Sequence, residues 1–405
     1  MNRKPLEGIK VVELGTHVAI PIAARMMADW GAEVIKIEPP SGEAYRTIGR
    51  IWSVPYDADF NLLYNAMNTN KKSLCLDLKT AEGKKVMMKL LSEADVFLTN
   101  TRTLSLKKLG LDYEEIKDAF PRLINAYFTG YGENGPDKDR PGFDMAAYWA
   151  RCGALTEWAS AESIPSKPTP GFGDGTVGPI LLSGILAALY QREKTGKGDK
   201  LSVSLFSSAL WFNISGLLQS QFAPPYPRSR YSGQPHALAP LYKTKDGDWI
   251  LMTTPDWDGK HEAVMKLVGM DEYIDDERFS NAVEMHKHQP EVIRLFEEAF
   301  ARTETSKILE GLAAMDIVHE RLRNPRELST DPQAWENGYL YEQTFESGKT
   351  AVMATNPVQF TNSESADFNL APQLGENSVD ILRGIGYSEQ EISVLLEKKA
   401  VIQKQ

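Results

Sequence analysis

One carboxylate, Asp174, stands among four glycines in the segment PGFGDGTVGP at residues 170–179. An apolar run follows directly at residues 180–190, so this charge borders a stretch that the pattern predicts to be buried. A charged side chain near the interior is costly unless something uses it. Glycine has no Cβ atom and so leaves room for a large reactant beside the carboxylate. The pattern suits a nucleophilic or proton-transferring aspartate at the mouth of a pocket.

A second interpretation gives Asp174 a structural role only. Aspartate is a common N-cap, because its carboxylate accepts hydrogen bonds from the free N–H groups of a helix's first turn. The sequence predicts a helix that begins near Val177 or Pro179 and stops at Thr195-Gly196, just after Asp174. The local residues leave both interpretations open.

Composition sets broad limits on function. The chain has 405 residues, which is too long for one ordinary core and predicts two domains. A hydrophobic content of 42% and a charged content of 25% are typical of a soluble globular protein. The net charge of −10 disfavours nucleic acid as a partner, since that needs a dominant positive field. A phosphorylated small ligand stays open, because it needs only a few local cations.

Several kinds of catalytic centre lack their motif. The two cysteines, Cys75 and Cys152, provide neither a disulfide framework nor a cysteine-based zinc site, and the six histidines show no metal-binding spacing, so no metal is expected. No G-x-S-x-G hydrolase motif occurs. The turn LGTHVA at residues 14–19 has one of the three glycines of a dinucleotide-binding fingerprint. An NAD-dependent dehydrogenase is therefore only a remote alternative.

The sequence predicts a reduced, cytoplasmic protein. The first residues, MNRKPLE, lack the apolar core of a signal peptide. No run of about 18 uncharged apolar residues occurs, so no membrane-spanning segment and no membrane partner are expected.

The first half of the chain alternates β-rich and helical patterns. Strands are predicted at residues 9–14, 32–37, 73–78, 95–98, 123–128 and 200–206, and helices at residues 21–30, 80–93, 113–120 and 177–194. This alternation predicts an α/β fold with a mostly parallel sheet covered by helices.

The pattern changes after residue 206. Residues 207–221 predict one long apolar helix, and the prolines that follow end it, so a domain boundary is expected at Pro224. Residues 239–254 predict a hairpin that turns at the Asp-Gly pair within residues 245–248. Helices are then predicted at residues 260–268, 290–301, 306–315 and 388–399, with short strands near residues 351–354.

Several cations lie next to the predicted strands. Lys71 and Lys72 precede the third strand, Lys79 ends it, and Arg102 follows the fourth. Ligands of open parallel sheets bind at the carboxyl ends of strands, where cations suit a phosphorylated anion. For any lysine taken singly, a solvated surface position is the simpler interpretation.

The chain resembles the family III coenzyme A transferases in many short segments, which occur in the same order nearly from end to end. These segments are residues 6–14, 26–38, 70–77, 94–96, 171–174, 194–199, 374–377 and 386–387. Such a series is much more specific than any single motif.

The resemblance implies a Rossmann-like large domain built from both ends of the chain, with a smaller central α+β domain. The implied division is a first large-domain part at residues 1–206, a linker helix at 207–223, a small domain at 224–320, and a linker and returning part at 321–405. The family also implies an interlocked homodimer.

The family's catalytic carboxylate falls on Asp174, so the resemblance favours the nucleophile over the cap. The implied reaction passes through an aspartyl anhydride and an aspartyl-CoA thioester. Backbone N–H groups of the glycine-rich loops are the natural donors to the oxyanions. Coenzyme A thioesters are the implied substrates, and no permanently bound cofactor is expected.

The resemblance also implies which residues contact coenzyme A. They are Val18 and Ala19 at the adenine end, Leu76 and Lys79 nearby, Asn100, Thr101 and Arg102 along the pantetheine and phosphate path, and Lys108 in place of an arginine. Pro39 stands where some relatives carry a phosphate-binding arginine, so that contact must come from elsewhere, with Arg46 as the candidate.

The nature of the acid follows from finer likeness. Several segments look most like the branch that acts on (R)-2-hydroxy acids in amino-acid fermentation, with a 2-enoyl-CoA or short acyl-CoA as donor. The substrate pocket is expected to include Phe143, Asp144, Gly173, Trp211 and Phe212. The glycine-rich lid of the oxalate-using branch is missing from residues 221–240, so oxalate and formate are poor candidates.

Other activities of the same fold stay open as alternatives. 2-Methylacyl-CoA racemases carry a histidine where this chain has Phe143, and phenylalanine cannot transfer a proton, so transfer is favoured over racemisation. Transfer to another acid, such as a carnitine derivative, is a further alternative. A non-catalytic scaffold that binds coenzyme A is hard to reconcile with Asp174 in its glycine setting.

Overall fold

The computed structural model describes residues 4–223, 225–364 and 366–404. Pro224, at which a domain boundary is expected, lies outside the described residues. The strands are β1 (Lys10–Leu14), β2 (Glu33–Glu38), β3 (Tyr56–Asp57), β4 (Phe60–Asn61), β5 (Lys72–Leu76), β6 (Val96–Thr99), β7 (Ile124–Thr129), β8 (Lys200–Ser204), β9 (Tyr242–Lys243), β10 (Trp249–Thr253), β11 (Val318–Arg321), β12 (Leu340–Thr344), β13 (Thr350–Ala354) and β14 (Val401–Ile402).

The α-helices follow the same chain order. They are α1 (Ala19–Asp29), α2 (Gly49–Trp52), α3 (Leu62–Asn68), α4 (Ala81–Glu93), α5 (Thr103–Leu109), α6 (Tyr113–Ile116), α7 (Ala154–Glu157), α8 (Phe172–Thr195), α9 (Leu205–Phe212), α10 (Ile214–Gln219), α11 (Trp257–Leu267), α12 (Ala282–Lys287), α13 (Gln289–Arg302), α14 (Thr305–Ala314), α15 (Pro332–Glu336), α16 (Ser378–Gly384) and α17 (Glu389–Glu397). A 3₁₀ helix at Ala44–Thr47 and a π-helical turn at Asp144–Ala150 also shape the site described below.

The chain forms two compact units. The larger takes the chain up to Gly153, Lys167–Ile214 and everything from Pro332 onward. The smaller takes Ala154–Ser166 and Ser215–Asp331. Both ends of the chain therefore build one unit, and a central stretch builds the other.

The larger unit contains a seven-stranded sheet with the order β14-β5-β2-β1-β6-β7-β8. Every neighbouring pair is parallel except β14, which runs antiparallel to β5. This confirms the predicted α/β class. From β1 the chain passes to β2 on one side and later to β6 on the other, so a switch in strand order lies between β1 and β6.

Alternate residues of β1 face the two layers of helices. Val11 belongs to the core formed with α1 and α8, and Val12 to the core formed with α4, α16 and α17. Because side chains alternate along a strand, a continuous apolar strand can fill both cores. These two cores hold the sheet and orient its carboxyl-terminal edge.

Helix α8 is long and apolar enough to cross a membrane by length and composition, and no other helix among the described residues meets that test. The sequence pattern was not expected to contain such a segment. Leu181, Leu182 and Ile185 of α8 are buried with residues of α1 in the sheet's core. A core helix of a globular domain meets the same test, and this packing accounts for the 44% of the apolar window of α8 that is buried.

The smaller unit has the antiparallel sheet β11-β10-β9 with α11–α14 around it. Its core contains Tyr242, Trp257, Phe296 and Phe300. The predicted hairpin is present, because the Thr244 N–H bonds the Asp248 carbonyl at 2.8 Å and the Gly247 N–H bonds the Thr244 carbonyl at 3.0 Å.

Two predicted helices differ from the structure. The single helix expected at residues 207–221 is divided into α9 and α10 at Asn213. Asparagine competes for backbone hydrogen bonds and is a poor interior helix residue, which accounts for the break. The helix expected from Val177 or Pro179 begins earlier, at Phe172, so that Asp174 lies inside its first turn.

Candidate active site

A cleft of about 300 Å³ opens at the carboxyl ends of β1, β6 and β7, at the switch in strand order. This is where ligands of open parallel sheets bind. Its lining comes from four segments, residues 16–19, 100–104, 127–130 and 138–143, and from Asp174 and Leu205 at the starts of α8 and α9.

Asp174 does not cap α8, so the cap interpretation is wrong. The N-cap is Gly171, which lies in the left-handed region with φ 89°. Because glycine has no side chain, the N-cap residue itself cannot bond the N–H groups of the first turn. Asp144, far back in the chain, performs that role. Its carboxylate accepts the Gly171 N–H at 2.8 Å and the Asp174 N–H at 3.2 Å. The carboxylate of Asp174 is thereby left for other chemistry.

Gly173 is required by packing around Asp144. A Cβ atom at this position would lie 2.1 Å from Oδ1 of Asp144 and 2.7 Å from the ring of Tyr148. Because Gly173 has no Cβ atom, the Asp144 carboxylate and the Tyr148 ring can pack against the first turn of α8. The sequence pattern suggested room for a reactant instead.

Two carboxyl groups next to each other determine the electrostatics of the site. Burial raises the pKa of Asp174 to about 7, and the negative charge of Asp144 adds to the shift. Burial also raises the pKa of Asp144, while the N–H groups that it accepts oppose that rise. Near neutral pH, Asp174 is thus a poorly solvated carboxylate that readily gains or loses a proton.

The turn between β1 and α1 forms one wall of the cleft. Asn100 holds it by accepting the Thr16 N–H at 3.1 Å and donating to the Thr16 carbonyl at 2.8 Å. The His17 ring lies against Phe143, with ring centroids 5.5 Å apart. Burial lowers the pKa of His17, partly opposed by the charge of Glu43, so the ring is neutral at pH 7.

The cleft brings together more than half of the residues that the sequence singles out. Those in its lining are Val18, Ala19, Asn100, Thr101, Arg102, Phe143 and Asp174. Asp144 and Gly173 lie directly beside Asp174.

The other predicted site residues lie outside the cleft lining. Leu76, the last residue of β5, is buried in the core, and Lys79 and Lys108 are exposed. Trp211 and Phe212 are exposed on α9, because that helix buries Leu205, Ser208 and Ala209 instead. These two aromatic side chains were expected to belong to the substrate pocket, and in the folded chain they lie on the surface.

The lining residues that were not predicted from the sequence include Thr16, His17, Lys138 and Arg140. Lys138 and Arg140 belong to the polar segment GPDKDRPGF at residues 135–143, which runs into Phe143. Two cations in a loop that ends at Phe143, a predicted pocket residue, could have indicated this part of the cleft from the sequence alone. They bring two positive charges to the cleft, against one negative charge from Asp139, which also lines it; Arg140 also pairs with Asp137 at 3.7 Å.

Two cations near the strands have structural partners. Lys71 is buried and pairs with Glu13 at 2.7 Å. Arg46 binds Glu38 through two N–H groups, each at 2.7 Å, and its guanidinium stacks on Tyr64. Arg46 therefore does not replace the arginine missing at Pro39, because its donors are already engaged by a buried carboxylate.

Among the residues that the structure describes, no group of three or more His, Cys, Asp or Glu side chains is placed to hold a metal ion. The N–H groups of Gly171 and Asp174 are engaged by Asp144. These two N–H groups, which were expected to bind an oxyanion, are therefore already used in capping α8. The hydrogen-bond donors to an oxyanion have to come from another part of the cleft.

Comparison with known proteins agrees with this arrangement. The model of the family described as CoA-transferase family III matches residues 6–378. An (R)-2-hydroxy-4-methylpentanoate CoA-transferase from Clostridioides difficile is 38% identical, over 98% of this chain and 99% of that protein. A cinnamoyl-CoA:phenyllactate CoA-transferase from Clostridium sporogenes is 36% identical, over 99% of this chain and 98% of that protein.

Solved structures give the same result for the fold. A CAIB/BAIF family protein from Brucella suis superposes with a TM-score of 0.83 at 26% identity. The match covers 95% of this chain and all of the other chain (100%).

Proposed function

The chain belongs to CoA-transferase family III, and we propose that it moves coenzyme A from an acyl-CoA to a free (R)-2-hydroxy carboxylic acid, with Asp174 as the nucleophile. The observation that carries this proposal is the position of Asp174. It lies half-buried in the first turn of α8, opens on the cleft, and is freed from helix capping by Asp144. The names of the two relatives support the acid class, because both include a 2-hydroxy acid with an apolar side chain.

The reaction proceeds in four exchanges at one carboxylate. A carboxylate oxygen of Asp174 attacks the thioester carbonyl of the donor, the C–S bond breaks, and a mixed anhydride and CoA thiolate form. The thiolate attacks the Asp174 carbonyl, so the first acid leaves as a carboxylate and the enzyme holds a CoA thioester. The acceptor carboxylate then attacks that thioester and releases the thiolate. Finally the thiolate attacks the acceptor's acyl carbon and regenerates the Asp174 carboxylate.

The local environment favours these steps. Burial removes water from Asp174, which strengthens its nucleophilicity and protects an anhydride from hydrolysis. The neutral His17 ring does not neutralise the carboxylate by ion pairing. The uncapped first turn of α1, at Val18 and Ala19, presents N–H groups to the cleft and is the proposed source of oxyanion donors.

Coenzyme A is proposed to bind along the cleft from Val18 and Ala19 past Asn100 and Thr101. Arg102, Lys138 and Arg140 supply positive charge for its phosphates. In this arrangement Lys138 and Arg140 stand in for the phosphate contact missing at Pro39. Leu76, Lys79 and Lys108 receive no role in this cleft.

A second copy of the chain is the proposed partner. The helices α9 and α10 and the residues after them expose Trp211, Phe212, Leu217, Leu218 and Phe222. Large apolar side chains grouped along one stretch are typical of surfaces that another protein covers. An interlocked homodimer, as the family implies, would cover them.

One observation favours the racemase alternative enough to require a test. Phe143 cannot transfer a proton, but the His17 ring lies in the same cleft as Asp174. With a 2-methylacyl-CoA in deuterated water, we expect no deuterium at the α-carbon. Exchange at a rate comparable to CoA transfer would support racemisation instead.

The main experiment offers acetyl-CoA and several 2-enoyl-CoAs as donors against a panel of 2-hydroxy acids, with product detection by mass spectrometry. We expect transfer by the unmutated enzyme and a loss of several orders of magnitude in Asp174→Ala. Asp118→Ala, at an exposed aspartate outside the cleft lining, is the matched control and should equal the unmutated enzyme. Transfer by Asp174→Ala at a tenth of the normal rate would exclude Asp174 as nucleophile.

The covalent intermediate gives an independent measurement. Enzyme incubated with acyl-CoA alone should carry CoA on Asp174, and hydroxylamine should convert that thioester to a hydroxamate on the Asp174 peptide. An unmodified peptide from enzyme with confirmed turnover would indicate direct transfer.

The acceptor panel tests the acid class. Burial of an isobutyl or benzyl group should gain roughly 1.5–3 kcal/mol over a methyl group. Acids with leucine- or phenylalanine-like side chains should therefore exceed lactate by about 10- to 200-fold in kcat/KM. Equal values for lactate and 2-hydroxy-4-methylpentanoate would reject the preference for large apolar side chains and leave the transferase assignment standing.

A further inference from the structure

A chain of buried ion pairs runs beneath the cleft. Lys71 pairs with Glu13 at 2.7 Å, Glu13 with Lys36 at 2.8 Å, and Lys36 with Glu43 at 2.9 Å. The side chains of all four residues are 0–3% exposed. Glu13 and Lys36 are direct neighbours on β1 and β2, so the parallel register itself creates the central pair.

This chain of ion pairs ends on the turn that lines the cleft. Lys36 Nζ donates to the Gly15 carbonyl at 3.0 Å, and Glu43 accepts the His17 N–H at 3.0 Å. Asn100 holds the Thr16 peptide between them. Three consecutive residues of the turn are therefore held by side chains from three different parts of the chain.

The conformation that these contacts hold is an unfavourable one. His17 has φ 70°, in the left-handed region that a residue with a side chain rarely adopts. Such a residue costs of order 1–3 kcal/mol and persists only where its surroundings enforce it. The Glu43 carboxylate is the partner that the His17 N–H has in this conformation.

Glu43 also begins the short turn that carries a second ring close to His17. It is the N-cap residue of the 3₁₀ helix Ala44–Thr47, which contains the buried Tyr45. The Tyr45 ring lies 6.3 Å from the His17 ring, and the His17 ring lies 5.5 Å from Phe143. Glu43 thus holds His17 through its carboxylate, and its backbone begins the turn that carries Tyr45.

We propose that Glu43 is a positioning residue, whose carboxylate, anchored by Lys36, holds His17 in its left-handed conformation so that the rings of His17 and Phe143 form the cleft wall beside Asp174. The consequence for the reaction rests on the proposed function. Burying several charges is not in itself a reliable source of stability. The buried ion pairs are better accounted for by their effect on the geometry of the cleft. A small misplacement of the reacting groups slows catalysis.

The test compares Glu43→Ala with a control that loses the same kinds of contact elsewhere. Glu43 makes one ion pair with a buried cation and accepts one backbone N–H, that of His17. Asp95 does likewise, pairing with Arg192 at 2.9 Å and accepting the Lys10 N–H at 2.7 Å. Asp95 precedes β6 at the amino-terminal edge of the sheet, away from the cleft. Asp95→Ala is therefore the matched control.

Both variants should fold. Lys36 keeps Glu13 as a partner when Glu43 is removed, and Arg192 keeps its hydrogen bonds to the carbonyls of Asp95 and Arg122 when the Asp95 carboxylate is removed. Glu43→Gln is the intermediate variant, because Lys36 contacts Oε1 of Glu43 and the His17 N–H contacts Oε2, and an amide keeps only one of these two oxygens.

The first measurement is amide hydrogen exchange, which does not depend on the reaction. In Glu43→Ala we expect faster exchange in the peptide around residues 14–20 and native rates elsewhere. In Asp95→Ala the increase should fall near Lys10 instead. Unchanged exchange around His17 in Glu43→Ala would overturn the proposal, whether or not the enzyme transfers CoA.

The second measurement is kcat/KM for CoA transfer at equal folded fraction. We expect Glu43→Ala to lose roughly 10- to 100-fold, Glu43→Gln less, and Asp95→Ala nothing. Equal loss in Glu43→Ala and Asp95→Ala would show a general stability effect and refute positioning. Failure of the unmutated enzyme to transfer CoA would reject the proposed function, and the exchange result would still decide the role of Glu43.

Discussion

At the scale of single residues, the proposed chemistry depends on how burial changes one carboxyl group. Asp174 reacts only as the carboxylate, and its pKa in the folded protein is raised to about 7. We therefore expect kcat/KM to be level above pH 8 and to fall as the pH drops through about 7. Steady-state rates across this range, at constant ionic strength, are the measurement. A level profile down to pH 5 would contradict the raised pKa.

Asp144→Asn serves as the control for that profile. It removes the second cause of the raised pKa, the negative charge, and keeps an oxygen for the N–H groups of α8. The acidic limb should move to lower pH without disappearing, because burial, the larger cause, remains.

The same carboxyl group should weaken the folded protein at high pH. Its pKa is higher folded than unfolded, so its contribution is favourable below the ordinary value near 3.8 and is lost as the pH rises through about 7. Asp174→Asn should consequently melt at a higher temperature than the unmutated protein at pH 8. The difference should shrink steadily towards pH 4. A variant less stable than the parent at pH 8 would show that the carboxylate is not held under strain.

At the scale of elements, the start of α8 depends on a close fit between two segments that are distant in sequence. Gly173→Ala would place a methyl group against the Asp144 carboxylate and the Tyr148 ring. The cap would be displaced and Asp174 would move with it, so we expect a loss of roughly 1–3 kcal/mol in unfolding free energy and a large loss of activity. Denaturant titration and the transfer assay measure the two effects.

Gly175→Ala is the matched control on the same turn. A Cβ atom there meets only Ile22, at 4.0 Å. Alanine also favours helix by up to about 1 kcal/mol over glycine, so this variant should be at least as stable as the parent. If both variants lost the same stability, the close fit at Gly173 would not be its cause.

At the scale of the whole molecule, the exposed apolar side chains of α9 and α10 carry the prediction of a dimer. Light scattering should give twice the mass of one chain. Leu218→Glu should weaken the dimer, because a charge would be buried without a partner. Val283→Glu is the control, since Val283 is also exposed but lies on the charged helix α12. A monomeric parent, or equal effects of both variants, would reject this surface as the interface.

The sequence by itself determined the features that depend on neighbouring residues. Alternation of β-rich and helical stretches is local, and it placed six of the seven strands of the large sheet, all but β14, and the hairpin that turns at residues 245–248. Asp174 was also identifiable, because a carboxylate among glycines beside an apolar run is visible without any tertiary contact.

Only the tertiary structure decided which side chains meet. Asp144 caps α8 from 30 positions away, counted to Asp174, and Glu43 reaches His17 from 26 positions away. Arg46 was a plausible phosphate ligand until the fold brought Glu38 to it, and Trp211 was a plausible pocket wall until α9 turned it outward. Such pairings depend on strand order and on how helices pack on the sheet. Local patterns carry no information about either, because periodicity specifies the face of an element and not its neighbour.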